Sequence, residues 1–299
     1  MRLSRSVRDA ATTAWLVGPA TTAMIVLVFA PVAIVALLAF TDYQFGARSL
    51  RFVGLDHFER LVVDPQARRA VTNTLLYAAI VIPASIVLGL LVALGLHGLS
   101  ARAPRLAGAL RAAYFLPVAA TLVAMAVVWQ MLLHPSIGLV NQTLALAGIS
   151  GPAWLSDRAL VLWTLAVIGI WQTVGYNMVL FLAGLAAIPK DLYDAAAVDG
   201  ASGSWDRFWT VTWPMLGPTT LFVTVISATG AFRVFETVAT MTQGGPAFAS
   251  DVLVYAMYRE GFVYFKAGYA SAITLVFFAL VLAVTVLKFR VLESRVHYR

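Results

Sequence analysis

A stretch of 26 residues without one charged side chain, Val71–Leu96, reads VTNTLLYAAIVIPASIVLGLLVALGL. About 20 apolar residues in an α-helix cross the roughly 30 Å hydrocarbon core of a bilayer, so the stretch predicts a membrane-spanning helix. Over the whole chain of 299 residues, 61% are hydrophobic and 12% are charged. Soluble domains carry about 25% charged residues. The sequence is therefore that of an integral membrane protein.

Five further apolar runs on either side of this stretch meet the same criterion. No polar segment between them suits a soluble domain, so we predict an all-α polytopic membrane protein with one transmembrane domain over residues 1–299. The first run exceeds the roughly 7–15 apolar residues of a signal peptide, which favours an uncleaved span. Segment 137–149, IGLVNQTLALAGI, is half a span and predicts a surface or re-entrant segment. The six predicted spans are Trp15–Phe40, Val71–Leu96, Ala112–Leu133, Leu160–Ala187, Met215–Val234 and Gly268–Phe289.

The basic residues predict the orientation, because Lys and Arg near span ends favour the cytoplasm. Twelve lie on the side of the two termini, eight lie on the other side, and Arg233 lies at the end of span five. We therefore expect both termini, and the loop between spans four and five, in the cytoplasm. Basic residues that flank apolar runs in this way indicate anionic lipid rather than nucleic acid.

Several classes of chemistry lack the residues that they need. The chain has no cysteine, which excludes disulfides and thiolate metal sites. No G-x-x-x-x-G-K-[ST] stretch is present to cradle a nucleotide phosphate. An intramembrane enzyme would need a nucleophile and base, or metal ligands, at membrane depth, and no such set is visible. We expect neither a catalytic residue nor a metal site; the four histidines are widely separated, at His57, His97, His134 and His297.

The loop between spans four and five contains DAAAVDGASGSWDRFWTVTWP, Asp194–Pro214. Pro189 suits the first position of a helix that Gly200 ends, and Ser202 or Ser204 can cap a second helix. Trp205, Phe208, Trp209 and Thr212 then share one helical face. The loop could lie on lipid, but its acidic residues fit an anionic leaflet poorly and favour a soluble cytoplasmic partner. These acids are Asp191, Asp194, Asp199 and Asp206, against Lys190 and Arg207.

Polar side chains within the spans are candidates for a substrate pathway, because they are costly in lipid. Span four offers an aromatic platform beside amides, which suits a sugar site, although interhelical packing is the alternative. Arg233 and Glu236 either pair with each other at i, i+3 or line the pathway. Asn73 and Thr74 are more typical of a structural or interfacial role. The span-four candidates are Trp171, Gln172, Tyr176 and Asn177.

Residues 194–201, DAAAVDGA, followed by VTWP at 211–214, resemble the EAA signature of ABC importer permeases, E-A-A-x-x-D-G-A and then I-x-L-P. Asp194 replaces the usual Glu, and Trp213 stands where Leu is common. The segments NTLLYAAIVIPASIVLGLLVAL, LRAAYFLP and LAGLAAIP are also similar to that family. The stretch from Phe232 to Phe262 resembles the F-D-x-x-x-x-x-T-x-G-G-P segment of its carbohydrate-importer branch. YREGFVYFKAG favours the branch that imports sn-glycerol-3-phosphate or glycerophosphodiesters.

The resemblance implies a permease subunit, not an enzyme, of a prokaryotic plasma (inner) membrane. It implies a second homologous permease, two cytoplasmic ATP-binding subunits and an extracytoplasmic substrate-binding protein as partners in the lipid bilayer. ATP and Mg would be used by the ATPase, and this chain would bind no cofactor. The EAA loop, about 189–214, would dock the ATPase through Asp194, Ala195, Ala196, Asp199, Gly200, Ala201, Trp205 and Phe208.

Two other functions remain open on the sequence. A permease of this family could carry a neutral mono- or oligosaccharide instead. An ion-driven secondary transporter would show internal repeats and buried acids, whereas Glu236 is the only acid near a span interior here.

Overall fold

The computed structural model describes residues 5–201 and 203–292, which form two compact units. Among the described residues, one unit contains the chain up to Asp64 together with Ala256–Phe278, and the other contains Pro65–Tyr255 and the chain from Ala279 to Leu292. Ser202, considered above as a helix cap, and His297 lie outside the described residues. So do Arg2, Arg295 and Arg299, three of the twelve basic residues counted on the side of the termini. The helices are α1 Arg5–Met24, α2 Ala30–Leu38, α3 Asp56–Val63, α4 Pro65–Arg102, α5 Pro104–Ala119, α6 Leu122–Leu132, α7 Leu139–Leu146, α8 Val161–Ala186, α9 Lys190–Val198, α10 Ser204–Arg207, α11 Trp213–Met215, α12 Gly217–Phe232, α13 Glu236–Met241, α14 Leu253–Tyr258 and α15 Ala267–Leu292.

In the described part of the chain, five helical segments are long and apolar enough to cross a membrane. They are Thr12–Leu38, Pro65–Arg102, Val161–Ala186, Gly217–Met241 and Ala267–Val286. A sixth span requires α5 and α6 to be counted together, and these two helices are bent by 101°. The predicted all-α polytopic architecture is confirmed.

The third predicted span, Ala112–Leu133, is therefore not the single continuous helix that was predicted. Ala120 (φ −81°, ψ 149°) and Thr121 (φ −69°, ψ 134°) are both extended and separate α5 from α6. Pro117, just before them, has no N–H to donate to the preceding turn, which weakens the end of α5. The apolar run predicts the span but not this break in the backbone.

The first unit begins with the span Thr12–Leu38, none of which is buried within the chain. The loop after α2 folds back through an antiparallel bridge between Thr41 and Phe52. Asp42 Oδ1 accepts the backbone N–H of Arg51 (2.8 Å), and Oδ2 accepts Nε–H of the same residue (2.9 Å). These two hydrogen bonds, the backbone one first, hold the pKa of Asp42 below its ordinary value.

The same unit joins α3 to the beginning of α15. The Arg60 guanidinium lies 4.3 Å from the centre of the Tyr269 ring, and the Tyr269 hydroxyl donates to Asp64 Oδ2 (3.3 Å). Gly268 N–H donates to the carbonyl oxygen of Tyr43 (2.8 Å). A Cβ at Gly268 would overlap the Thr41 carbonyl, so only glycine permits this approach.

In the second unit, α4, α5, α8 and α12 pack through glycines and one buried polar network. A Cβ at Gly175 of α8 would overlap the carbonyl of Tyr114 in α5, and one at Gly89 of α4 would lie 2.7 Å from Asn177 Cβ. Asn177 Nδ2 donates to Ser85 Oγ (3.3 Å), and Ser227 Oγ donates to Asn177 Oδ1 (3.0 Å). The amide therefore joins α4, α8 and α12. The apolar core beside it contains Leu90, Ala93, Leu96, Met178, Phe181, Leu185, Leu216 and Val223.

Candidate functional site: a two-helix loop and a polar cavity

The helix α9 ends in a glycine cap, as the sequence predicts. Gly200 adopts φ +99°, its N–H donates to the Ala197 carbonyl (3.3 Å), and the Ala201 N–H donates to the Ala196 carbonyl (2.8 Å). This is the Schellman arrangement, which satisfies the last helical carbonyls. Pro189 is the N-cap (ψ 134°) rather than the first helical residue, a shift of one position.

The second helix of the loop is capped differently from the prediction. Ser204 is the first residue of α10 and forms no cap, so that expectation is wrong. Gly203 is the N-cap, and its N–H donates to Asp206 Oδ2 (3.3 Å). The N3 carboxylate accepts the N-cap N–H, which is one half of a capping box, and its charge is favourable at the positive end of the helix dipole.

Two side-chain contacts fix the angle between the halves of the loop. Arg207 Nε donates to the Ala201 carbonyl (3.1 Å), and the hydroxyls of Tyr193 and Thr212 lie 3.0 Å apart. Thr212 is buried there and does not share the aromatic face, contrary to the prediction. A π-helical turn at Phe208–Thr212 causes this, because its wider turn moves position i+7 off that face and brings i+8 onto it.

We call the resulting surface the aromatic face; it consists of Trp205, Phe208, Trp209 and Trp213. Trp205 is stacked on Phe208 with ring centres 6.1 Å apart and is edge-on to Trp209 at 5.6 Å. Trp213 lies 6.1 Å from Trp209. Trp205 is 70% exposed, so the face is open to a partner or to lipid.

The candidate docking residues do not all lie on this loop's surface. Asp194, Ala195, Asp199 and Gly200 are exposed, and Ala201 and Phe208 are half-buried. Ala196 is buried and packs in the apolar core of the second unit, so it supports the loop from below. The sequence gives no sign of this, since all three consecutive alanines are equally suited to a surface helix.

A cavity of about 420 Å³ opens between α4, α8 and α12–α13. Of the predicted pathway residues, it contains Gln172, Arg233 and Glu236. Arg233 caps the C-terminus of α12, and Glu236 begins α13 after a break in the helix. Because the helix is not continuous, the i, i+3 spacing does not bring the two side chains together. Within the described part of the chain, neither side chain forms an ion pair within 4.0 Å.

The family described as "binding-protein-dependent transport system inner membrane component" matches residues 85–298. The chain belongs to this family. It is 34% identical to the sn-glycerol-3-phosphate transport system permease protein UgpA of Agrobacterium fabrum (strain C58) and 36% identical to UgpA of Brucella abortus biovar 1. Each match covers 85% of both chains.

A solved structure has the same fold at low sequence identity. A chain of a bacterial ABC transporter involved in the import of the acidic polysaccharide alginate superposes with a TM-score of 0.82. It is 22% identical and covers 98% of this chain and 100% of its own. The protein is thus a multi-pass inner-membrane component of a binding-protein-dependent ABC importer, as the sequence predicts.

The remaining span-four candidates of this permease lie elsewhere. Trp171 is edge-on to Trp129, with ring centres 5.4 Å apart, and Tyr176 is half-buried. Asn177 is fully buried in the network that joins three helices, which is the packing role left open above. Among the described residues these three side chains do not line the cavity.

Sequence reasoning missed the opposite wall of the cavity. Tyr77 and Thr173 line it, and a Cβ at Gly169 would overlap the Tyr77 hydroxyl. The absence of a side chain at Gly169 on α8 thus leaves the space that the Tyr77 side chain of α4 occupies. Tyr77 follows Asn73 by four residues on the same face of α4, but Asn73 does not line the cavity, so the sequence carried no signal for Tyr77.

Proposed function

We propose that this permease forms half of the translocation pathway of an ATP-driven importer and acts as one transmembrane domain over residues 1–299. Its partners are a second homologous permease, two ATP-binding subunits and an extracytoplasmic substrate-binding protein. Both termini and the loop at about 189–214 lie in the cytoplasm. The partner ATPase uses ATP and Mg, and this chain catalyses no reaction. Membership of the family supports this assembly.

The exposed surface of the loop supports the docking of the ATPase. Asp194 and Asp199 present negative charge beside the exposed Ala195 and Ala197, whose small side chains permit close approach. The aromatic face next to them offers large rigid anchors of the kind that dominate protein interfaces. A groove with Arg or Lys on the ATPase complements this surface better than an anionic leaflet does.

We propose an anionic polyol phosphate, sn-glycerol-3-phosphate or a glycerophosphodiester, as the substrate. Arg233 carries this proposal, because it is exposed, lines the cavity and forms no ion pair with any described residue. Gln172 and Thr173 on the facing helix can bind hydroxyl groups. The relatives named for sn-glycerol-3-phosphate transport agree with this class. Glu236 favours the alternative, a neutral saccharide, because a carboxylate accepts hydrogen bonds from hydroxyls but repels a phosphate.

Arg233→Gln is expected to lower the uptake of a phosphate ester about tenfold or more and to leave neutral-sugar uptake within twofold. A charge-assisted hydrogen bond contributes about 1.5–3 kcal/mol, enough for this factor. The measurement is uptake into proteoliposomes with the complete transporter and saturating binding protein. Arg158→Gln, which changes an exposed arginine away from the cavity, is the control.

The double variant Arg233→Gln with Glu236→Gln separates a pathway role of Arg233 from a balance of charge between the two residues in the cavity. If the two residues matter only to each other, the double variant takes up the phosphate ester normally. Such an outcome would contradict a role of Arg233 in binding the phosphate and would favour the neutral-saccharide alternative.

A further inference from the structure

The loop Thr242–Asp251 follows α13 directly and has an unusual backbone. Gln243 (φ +49°), Ala247 (φ +46°) and Phe248 (φ +62°) are non-glycine residues in the left-handed region. This conformation is strained for a residue with a Cβ and persists only where the surroundings hold it. Contacts from elsewhere in the second unit must therefore fix this loop.

Asn73 on α4 provides the main contact. Its Nδ2 donates to the backbone carbonyls of Phe248 (3.3 Å), Ala249 (3.1 Å) and Asp251 (2.9 Å). Thr74 Oγ1, fully buried next to it, accepts the N–H of Leu253 (2.9 Å). The two N–H groups of one amide thus serve three carbonyls of the loop, one of the hydrogen bonds being shared, and an acceptor-only side chain could donate none of them.

Gln130 on α6 holds the other end of the same segment. Its Nε2 donates to the carbonyls of Thr240 (2.9 Å) and Met241 (3.1 Å), the last residues of α13. Terminal carbonyls of a helix lack partners within the helix, so this amide acts as a C-cap supplied by a different helix. The helix α13 has six residues, which is too few to be stable by itself.

We propose that Asn73 and Gln130 are positioning residues that place α13 at the cavity wall. Among the described residues, neither amide donates a hydrogen bond to a residue that lines the cavity. Gln130 holds the end of α13 and Asn73 holds the loop that follows it, while α13 carries Glu236 and Thr237, both of which line the cavity. This inference rests on the proposed function in one respect, namely that the cavity is part of the translocation pathway. The geometry of α13 is independent of what the cavity carries.

The chain offers a matched control in Asn141. Asn73 is 8% and Asn141 7% exposed, and each amide donates to backbone carbonyls of a loop. Asn141 Nδ2 donates to Pro135 (3.0 Å) and Pro152 (3.1 Å), and within the described residues its side-chain hydrogen bonds reach neither α13 nor the loop that follows it. Changing either residue to Asp removes the donor and keeps the shape, so both variants lose stability for the same reason.

The test uses spin labels on cysteines introduced as Ala239→Cys in α13 and Val167→Cys in α8, which will be the only cysteines because the chain has none. Distances between the labels are measured by pulsed electron paramagnetic resonance in the assembled transporter. We expect Asn73→Asp to shift or broaden the distance distribution and Asn141→Asp to leave it unchanged. We expect the uptake of sn-glycerol-3-phosphate per ATP hydrolysed to fall about tenfold in Asn73→Asp but not in Asn141→Asp, because α13 would no longer be held in place at the cavity.

Gln130→Met, similar in volume but without a donor, is the second variant in case the buried aspartate prevents folding. An unchanged distance distribution in Asn73→Asp and Gln130→Met, or an equal change in Asn141→Asp, would overturn the positioning role. Failure of the proposed function gives a different result. The wild-type transporter would then show no uptake, while the distances would still report on α13.

Discussion

Gly200→Pro is expected to abolish transport and leave membrane insertion intact. The native residue has φ +99°, whereas proline fixes φ near −65°, so the cap cannot form. Proline also removes the N–H that donates to the Ala197 carbonyl. The end of α9 would unwind, and Asp199 would leave its place beside the aromatic face. Uptake and copurification of the ATPase with the permease measure the effect.

Gly148→Pro is the control, because α7 ends in the same way. Gly148 has φ +74°, its N–H donates to the Ala145 carbonyl, and Ile149 N–H donates to the Leu144 carbonyl. The same backbone change on that loop should leave ATPase copurification unchanged and most uptake intact. Equal loss in both variants, or retained transport in Gly200→Pro, would contradict the role of the loop 189–214.

Gly175→Val is expected to prevent accumulation of the folded permease. A Cβ at Gly175 overlaps the Tyr114 carbonyl, which is backbone and cannot rotate away. The helices α5 and α8 would have to separate, next to the Asn177 network. Forcing a larger side chain into a packed contact costs about 1–3 kcal/mol and more where the backbone must move.

Gly95→Val in the long helix α4 is the matched control, since a Cβ there has no heavy atom within 4 Å. Both variants carry the same β-branched residue in a spanning helix and share its helix propensity cost. The midpoint temperature of thermal unfolding and the yield after detergent extraction should both be lower for Gly175→Val and unchanged for Gly95→Val. A similar yield of the two variants would show that α5 and α8 do not approach as closely as this.

The parts of the fold that were predicted are those that local sequence determines. The apolar run Val71–Leu96 predicts a span because any helix of that composition is stable in lipid, and α4 extends it at both ends. Gly200 ends α9 because a left-handed residue favours glycine wherever it occurs. Neither feature depends on a distant residue.

The features that were missed depend on contacts distant in sequence. The bend after Ala119 and the break at Arg233 lie in apolar segments, and composition does not determine the path of the backbone there. Tyr77 reaches the cavity only because Gly169 faces it from another helix. The π turn at Phe208–Thr212 likewise exchanges Thr212 for Trp213 on the aromatic face.

The docking of an ATPase on the aromatic face is tested most directly by photo-crosslinking at Trp205. A photoreactive phenylalanine analogue replaces Trp205 in cells that express the complete transporter, and mass spectrometry identifies the captured protein. We expect a subunit that carries a G-x-x-x-x-G-K-[ST] nucleotide-binding loop, which would also place Asp194–Pro214 in the cytoplasm. The same analogue at Trp163, exposed on span four, should capture no such subunit. Capture of lipid alone, or of an extracytoplasmic protein, at position 205 would contradict the proposed docking surface and orientation.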